Sequence, residues 1–520
     1  MLIDHPATLR ANRTSLGVGW LTATTMALIV VTRALAVAVA PDVWLDEAML
    51  MANLPLGSVA AAFQPLPLHA QAAPPGYLLV ASAVSWVAGD EQALALRVLS
   101  VSGSLGASAF LMLTLLRLGA GHLAPVALAL VFLSPFGVRY GIEIKQYSFE
   151  LLATALLLYA AVRTWQQAGA GNLVLLGGAG VFAILSAFAA PLMIAGIAFA
   201  LAACLFTGGA KARGNLAPLG VLSGLTVAAG IWHLTVTAAI TAENFAFWAD
   251  HYRTAYLVLP LPGQPEGIKL RGFLSIMLGM FDPSYRVSSG YFAARPIAVI
   301  GSLLLAAGLV TAVIRLPIIG WTCIAFLGGI AVLSLLQMYP IIYNRHFTFA
   351  QPVVGIVLAA GLASAVRGLS RILGAQDGGA LRAGVAVLVV AGFGLVGARA
   401  AVMLAKTHLS GAVAVIAAET AGDDVLIHLL PSAAITMPFV APTFKTQIAY
   451  KARPNVPAHA TEAWLVETLL YDSDATRTEE VRDALADLGA RFGPCTAIFR
   501  QGSDLDLGHT VAYRCAPAPR

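Results

Sequence analysis

Apolar stretches about twenty residues long recur along most of this chain, and that recurrence limits what it can fold into. A hydrocarbon core about 30 Å thick is crossed by roughly 20 helical residues rising 1.5 Å each. We read eleven such stretches, at roughly 16–40, 92–116, 121–138, 148–166, 172–190, 191–208, 215–240, 294–314, 317–338, 347–366 and 381–404. In lipid the backbone must satisfy its own hydrogen bonds, so each is expected to be an α-helix. Only 11% of the 520 residues are charged and the mean hydropathy is +0.81, too little polar surface for a soluble domain of this size. The expected class is an all-α polytopic membrane protein.

The segment Pro74–Gly89 is apolar but only about 16 residues long, opens with Pro74-Pro75-Gly76 and carries Trp86, so it reads as a helix lying in the membrane interface. That reading fixes the parity of everything downstream. With a cytoplasmic N-terminus, the inside loops carry Arg117 and His122, Arg163, Lys211 and Arg213, Arg315, and Arg367, Arg371 and Arg382, which obeys the positive-inside rule throughout. Counting Pro74–Gly89 as a span would move Lys211, Arg213 and the Arg367–Arg382 loop outside. The net charge of +5 is therefore assigned to cytoplasmic loops and not to nucleic-acid binding. The first stretch follows Arg10 and Arg13 without a small-residue cleavage site and reads as a retained helix.

Two regions follow from this division. Residues 1–404 form the transmembrane part, with long outer loops at 41–91 and 241–293, and residues 405–520 are more polar and read as a small extracytoplasmic α/β domain. Val425–Leu430, Ala463–Tyr471, Thr496–Phe499 and Thr510–Arg514 pattern as strands, and Thr478–Leu488 as a helix with Glu479 and Glu480 in its first turn. Cys204 and Cys323 lie in apolar spans as core residues. Cys495 and Cys515 lie in the polar region, where oxidising conditions would let them pair, and the sequence leaves that open.

Parity places four polar clusters on the outer side: Asp42, Asp46 and Glu47 in the first loop; His69, Gln71 and Tyr77; Arg139 through Tyr147, with Glu143 and Lys145; and Tyr343, Asn344, Arg345 and His346. Adjacent carboxylates at the exit of a membrane helix are costly unless they face water, and Asp46-Glu47 suits general-base work on an acceptor hydroxyl as well as helix capping. Glu143 would hold a cation or position the acceptor, or else pair with Lys145. Lys145 and Arg345 suit a phosphate, the first as a point charge and the second as a planar fork, although Arg345 at the mouth of a span also suits simple snorkelling. His69 is more simply a hydrogen-bonded loop residue than a ligand. Arg97 and Glu150, near the outer ends of spans, would snorkel or pair within the bundle. No P-loop, dinucleotide-binding glycine pattern, Cys/His metal spacing or Gly-x-Ser-x-Gly is visible.

The order of these residues resembles the GT-C superfamily of integral-membrane glycosyltransferases, above all the branch of protein O-mannosyltransferases and lipid A aminoarabinose transferases. The likeness rests on Asp46-Glu47, the Pro74-Pro75-Gly76-Tyr77 segment, Gly89-Asp90-Glu91 through Leu96-Arg97-Val98-Leu99-Ser100, Ser134-Pro135 through Arg139-Tyr140-Gly141-Ile142-Glu143-Ile144-Lys145-Gln146-Tyr147, and Tyr343-Asn344-Arg345-His346. It spans residues 16–166 and 335–366. The resemblance implies the GT-C fold with about 11 transmembrane helices, a polyprenyl-phosphate sugar donor, and hexosyl or pentosyl transfer to a glycan, lipid or protein acceptor on the outer face of the bacterial inner membrane. It assigns the catalytic position to Asp46, with Glu47 beside it and Glu143 at the second acidic position. Beside the resemblance, the chemistry of the residues assigns Lys145 and Arg345, with His346 and Tyr343, to the donor phosphate, and His69, Tyr77, Arg139 and Tyr147 to the acceptor side or elsewhere in the site. The basic residue usual before the Pro-Pro segment is replaced by Gln71-Ala72-Ala73, and the tyrosine usual after the late arginine by His346. A divalent cation, Mg²⁺ or Mn²⁺, is an open expectation. A lipid-linked oligosaccharide flippase and a polysaccharide polymerase or ligase are the competing readings, the first expecting polar or broken helices at the bilayer midplane.

Overall fold

In the computed structural model the long apolar stretches are helical; the described residues are 16–39, 42–207, 216–242, 252–259, 267–283, 294–341, 344–373, 378–403, 408–419, 425–429, 431–440, 448–449, 462–469, 475–501 and 509–516. The membrane part contains α1 (Leu16–Val39), α2 (Leu45–Met51), α3 (Pro75–Ala88), α4 (Gln92–Arg117), α5 (Leu123–Phe132), α6 (Pro135–Tyr140), α7 (Tyr147–Gln166), α8 (Ala170–Ser186) and α9 (Ala190–Thr207). It continues with α10 (Leu216–Trp232), α11 (Leu270–Gly279), α12 (Arg295–Arg315), α13 (Pro317–Leu335), α14 (Gln351–Ile372) and α15 (Gly378–Met403). Eight helical runs among the described residues are long and apolar enough to cross a bilayer.

The stretch expected as one span at 121–138 is broken. Pro135 has no N–H to continue the helix of α5, and Ser134 Oγ instead accepts from Gly137 N at 3.0 Å, starting α6 afresh. The expected span at 215–240 keeps its length, but its second half passes through a π-helical segment, His233–Thr237. The expected span at 347–366 starts as an α-helix only at Gln351, after a 3₁₀ turn over Asn344–Ala350 that carries Arg345 and His346.

Burial shows which helices face lipid. The run ending in α14 is 78% buried, whereas α10 and α12 are 11% and 17% buried. α14 is therefore the central post of the bundle, and the apolar outer faces of α10 and α12 need lipid to cover them. α12 and α14 touch backbone to backbone: a Cβ at Gly308 would sit 2.0 Å from the Val357 carbonyl oxygen. α3 packs on α4 and α8, with Tyr77, Leu78 and Ala81 buried.

The C-terminal region has α16 (Leu409–Glu419), α17 (Pro431–Val440), α18 (Ala475–Phe492) and five strands: β1 (Val425–Leu429), β2 (Ile448–Ala449), β3 (Glu462–Leu469), β4 (Cys495–Gln501) and β5 (His509–Cys515). Their order is β2-β1-β3-β5-β4, with β1 parallel to β2 and β3, and β5 antiparallel to β3 and β4. The period of two along β3 sends Trp464 and Val466 to the face covered by α16 and α17, and Ala463 and Leu465 to the face covered by α18. Cys495 and Cys515 lie directly opposite each other on β4 and β5 and form a disulfide. The domain rests on the first loop: Ile435, Phe439 and Val440 pack against the cluster of Val43, Ala48, Leu50 and Met51, and Ser410 N donates to Asp42 Oδ2 at 3.1 Å.

Candidate active site

The two carboxylates of the first loop point to different tasks. They occupy the first turn of α2, where a partial positive charge favours them. Asp46 faces two cations from distant segments: Oδ1 lies 3.4 Å from Lys145 Nζ, and Oδ2 accepts from Arg345 Nη1 at 3.0 Å. Burial alone would raise the Asp46 carboxyl, but Lys145 and then Arg345 outweigh it and hold it below its ordinary value. The side chain is 22% exposed, so the group remains open to a ligand.

Glu47 is turned inward and fully engaged. Its Oε2 accepts from Trp44 N at 3.1 Å and from Arg97 Nη2 at 3.2 Å, and its Oε1 accepts from Ile144 N at 2.8 Å. It therefore ties three pieces together: the start of α2, the N-terminal end of α4, and the loop between α6 and α7. Arg97 also donates to the Asp42 carbonyl oxygen, so it is paired within the bundle and does not snorkel. Both Glu47 oxygens thus accept hydrogen bonds, and these hold the side chain in place beside Asp46.

The α6–α7 loop is held from both sides. Ser100 Oγ on α4 donates to the Glu143 carbonyl oxygen at 2.8 Å, and Ile142 N and Glu143 N both bond to the Arg139 carbonyl at 3.1 Å. Gly141 is required by close approach, since a Cβ there would meet Arg33 Nε at 2.4 Å. Arg33, on α1, donates to the carbonyls of Phe132 and Gly137 at 2.9 and 2.8 Å and to Ser104 Oγ at 3.2 Å, covering acceptors that the helix break leaves open. The sequence reading missed it. The signal was available, an arginine inside an apolar span with no acidic partner in sight.

Glu143 Oε2 accepts from Arg139 Nε at 3.3 Å, while Oε1 is buried without a hydrogen-bond partner among the described residues. Burial pushes the Glu143 carboxyl up to about 7; Arg139 pulls against this, and Glu47 and Asp46 add to it. Arg139 stacks over the Trp44 and Tyr140 rings, with centroids 5.2 and 5.1 Å away. Tyr147 meets Tyr140 edge to face at 4.9 Å, and Tyr77 meets Phe149 at 5.4 Å with its hydroxyl buried and without a hydrogen-bond partner among the described residues.

Lys145 Nζ donates to Gln71 Oε1, so the glutamine found where a basic residue was expected instead orients the lysine. His69 is exposed, at φ 62°, and joins this chain only through its carbonyl, which accepts from Gln71 Nε2 at 3.2 Å. The His346 ring lies against Tyr252 and Tyr339 at 5.7 and 6.1 Å, and Tyr339 Oη donates to the His346 carbonyl at 2.7 Å. Tyr343 and the aromatic residues Phe245, Phe247 and Trp248 lie outside the described residues.

Four cations, Arg97, Arg139, Lys145 and Arg345, thus surround three carboxylates, one of which burial pushes up in proton affinity. The balance suits an anionic ligand. A hard divalent cation would need about six oxygens. Both Asp46 oxygens face cations, both Glu47 oxygens accept hydrogen bonds, and among the described residues Glu143 Oε1 lacks a partner and no cluster of three His, Cys, Asp or Glu is placed to hold a metal. The residues present do not fit a dedicated metal cage.

No sequence family matches the chain, and no curated protein matches it in sequence. Its fold is nonetheless that of a solved protein. ArnT from Cupriavidus metallidurans bound to undecaprenyl phosphate superposes with a TM-score of 0.53 at 14% identity, over 96% of this chain and 99% of that one. The same protein in the apo state gives 0.54 at 13% identity, over 97% and 100%. The oligosaccharyltransferase AglB from Archaeoglobus fulgidus gives 0.46 at 13% identity, over 84% of this chain and 65% of its own. The architecture is the GT-C fold.

Proposed function

We propose that this protein is a membrane glycosyltransferase that moves a sugar, hexosyl or pentosyl, from a polyprenyl-phosphate donor to a hydroxyl of a glycan, lipid or protein on the outer face of the bacterial inner membrane. One observation carries the reading: Asp46 is shared between Lys145 and Arg345, which come from two other parts of the chain. The proposed base and the two cations proposed to hold the phosphate lie within one contact of each other. The fold shared with a protein solved with undecaprenyl phosphate supports the donor class.

A donor phosphate would compete with Asp46 for the two cations. As Lys145 and Arg345 turn to the phosphate, Asp46 loses what holds its proton affinity down and becomes a better base. The acceptor oxygen attacks the anomeric carbon and its proton passes to Asp46. The bond from that carbon to the phosphate oxygen breaks, and polyprenyl phosphate leaves with one more negative charge, which the same two cations stabilise. His346, with Tyr343, would line the donor side. Glu143, protonated in part at neutral pH, would donate a hydrogen bond to the acceptor or receive one. Arg139, Tyr147, Tyr77 and His69 would shape the acceptor side, and the C-terminal domain, seated on the first loop, would help select the acceptor.

Polar groups gathered at one end of the bundle favour a transferase over a flippase, which needs a path through the midplane. The parity of the basic loops supports a cytoplasmic N-terminus and a periplasmic C-terminal domain. The test is turnover of radiolabelled polyprenyl-phosphate sugars by the purified protein. Wild type should transfer the label, and Asp46→Asn should lose about 10²–10⁴-fold while remaining monodisperse. Full activity in that variant would end the assignment of the base.

A further inference from the structure

A cavity of about 370 Å³ lies at the other end of the bundle, between the turn joining α4 to α5, the C-terminal ends of α12 and α14, and the start of α15. It is remote from Asp46. Arg345 and Arg367 stand at opposite ends of the segment containing α14, which at 1.5 Å per residue separates them by roughly 30 Å. Four basic residues from four segments line it: His122, Arg315, Arg367 and Arg382. The rest of the lining is alanine, valine, leucine, glycine and Thr311, and no carboxylate is among the described lining residues.

Basic loop residues alone would satisfy the positive-inside rule while spread over a surface. Here they converge on a concavity. Arg315 and Arg382 are exposed, Arg367 is half-buried with Nη2 on Ser364 Oγ at 2.8 Å, and His122 Nδ1 is buried without a hydrogen-bond partner among the described residues. Arg315 and Arg382 both act electrostatically on Arg367, and Arg382 acts on His122. Guanidinium forks match phosphate oxygens, and basic pockets between transmembrane helices suit anionic head groups. We infer that this cavity holds the phosphate of an anionic phospholipid, its glycerol and upper chains lying on the apolar wall. It is a second lipid site, independent of the donor site.

Native mass spectrometry of the delipidated full chain in neutral detergent tests this, with phosphatidylglycerol, phosphatidylcholine and inorganic phosphate as probes. Wild type should retain phosphatidylglycerol about tenfold better than phosphatidylcholine, and the double variant Arg367→Gln, Arg382→Gln should lose that preference. The single variant Arg315→Gln, at an exposed helix end, provides a second reading if the double variant does not fold, with a several-fold loss expected. Equal retention of the two lipids by wild type, or a preference unchanged in the variants, would overturn the proposal. So would displacement of phosphatidylglycerol by millimolar phosphate, which would make the site one for free anions.

Discussion

Arg345 Nη1 lies 3.0 Å from Asp46 Oδ2, although 299 residues separate them in the chain. The contact joins the first loop to the turn before the central helix α14, and it makes the proton affinity of Asp46 depend on where Arg345 points.

Replacing Arg345 with Gln should therefore change two things at once. The donor KM should rise about tenfold or more, because a hydrogen bond to a charged group is worth about 1.5–3 kcal/mol. Asp46 is held low partly by Arg345, so its carboxyl should titrate higher in the variant and the acid limb of kcat/KM should move to higher pH. A pH–rate profile with an unmoved acid limb would contradict the role given to the pair.

Glu47→Gln should act on stability first. The variant keeps the shape of the side chain but leaves the Arg97 guanidinium buried without its counter-charge. Removing one partner of a buried pair costs about 3–5 kcal/mol. Thermal unfolding in detergent should show a clear loss, and residual activity should fall through kcat, because Ile144 and with it Lys145 lose their anchor.

Glu143 gives a stability signature in pH. Its carboxyl stands at about 7 in the folded protein against an ordinary 4.5. The folded state thus binds the proton more tightly, so the contribution is fully present below about pH 4.5 and is lost as pH rises through about 7, on the order of 3 kcal/mol in all. Unfolding of wild type and Glu143→Gln should diverge over that window, with wild type falling relative to the variant. Parallel curves would refute the raised proton affinity.

The Cys495–Cys515 disulfide closes a loop of 20 residues. Constraint of that length should stabilise the C-terminal domain by about 3 kcal/mol against its reduced form. Cys515→Ala should make β4 and β5 more sensitive to limited proteolysis, and non-reducing electrophoresis of wild type should show no free thiol in this region.

Hydropathy made the helical bundle legible because lipid leaves a backbone few alternatives. Parity went further, assigning Asp46, Lys145 and Arg345 to one end before any coordinates placed them together. Averaging over about twenty residues hid the break at Ser134-Pro135, the π segment at His233–Thr237 and the 3₁₀ turn carrying Arg345. The division of labour within Asp46-Glu47 was also out of reach. Neighbours in an α-helix point about 100° apart, and only the surrounding segments decide which of the two meets Arg97 and which meets Arg345. Gln71 was visible as a departure from the expected basic residue, but its hold on Lys145 depends on a loop conformation that no periodicity reports.

Asp42 receives Ser410 N through its side chain and Arg97 through its carbonyl oxygen. One residue, four positions ahead of Asp46, thus ties the C-terminal domain to the membrane bundle, so under the proposed function a shift of that domain would be passed along the first loop toward the carboxylate.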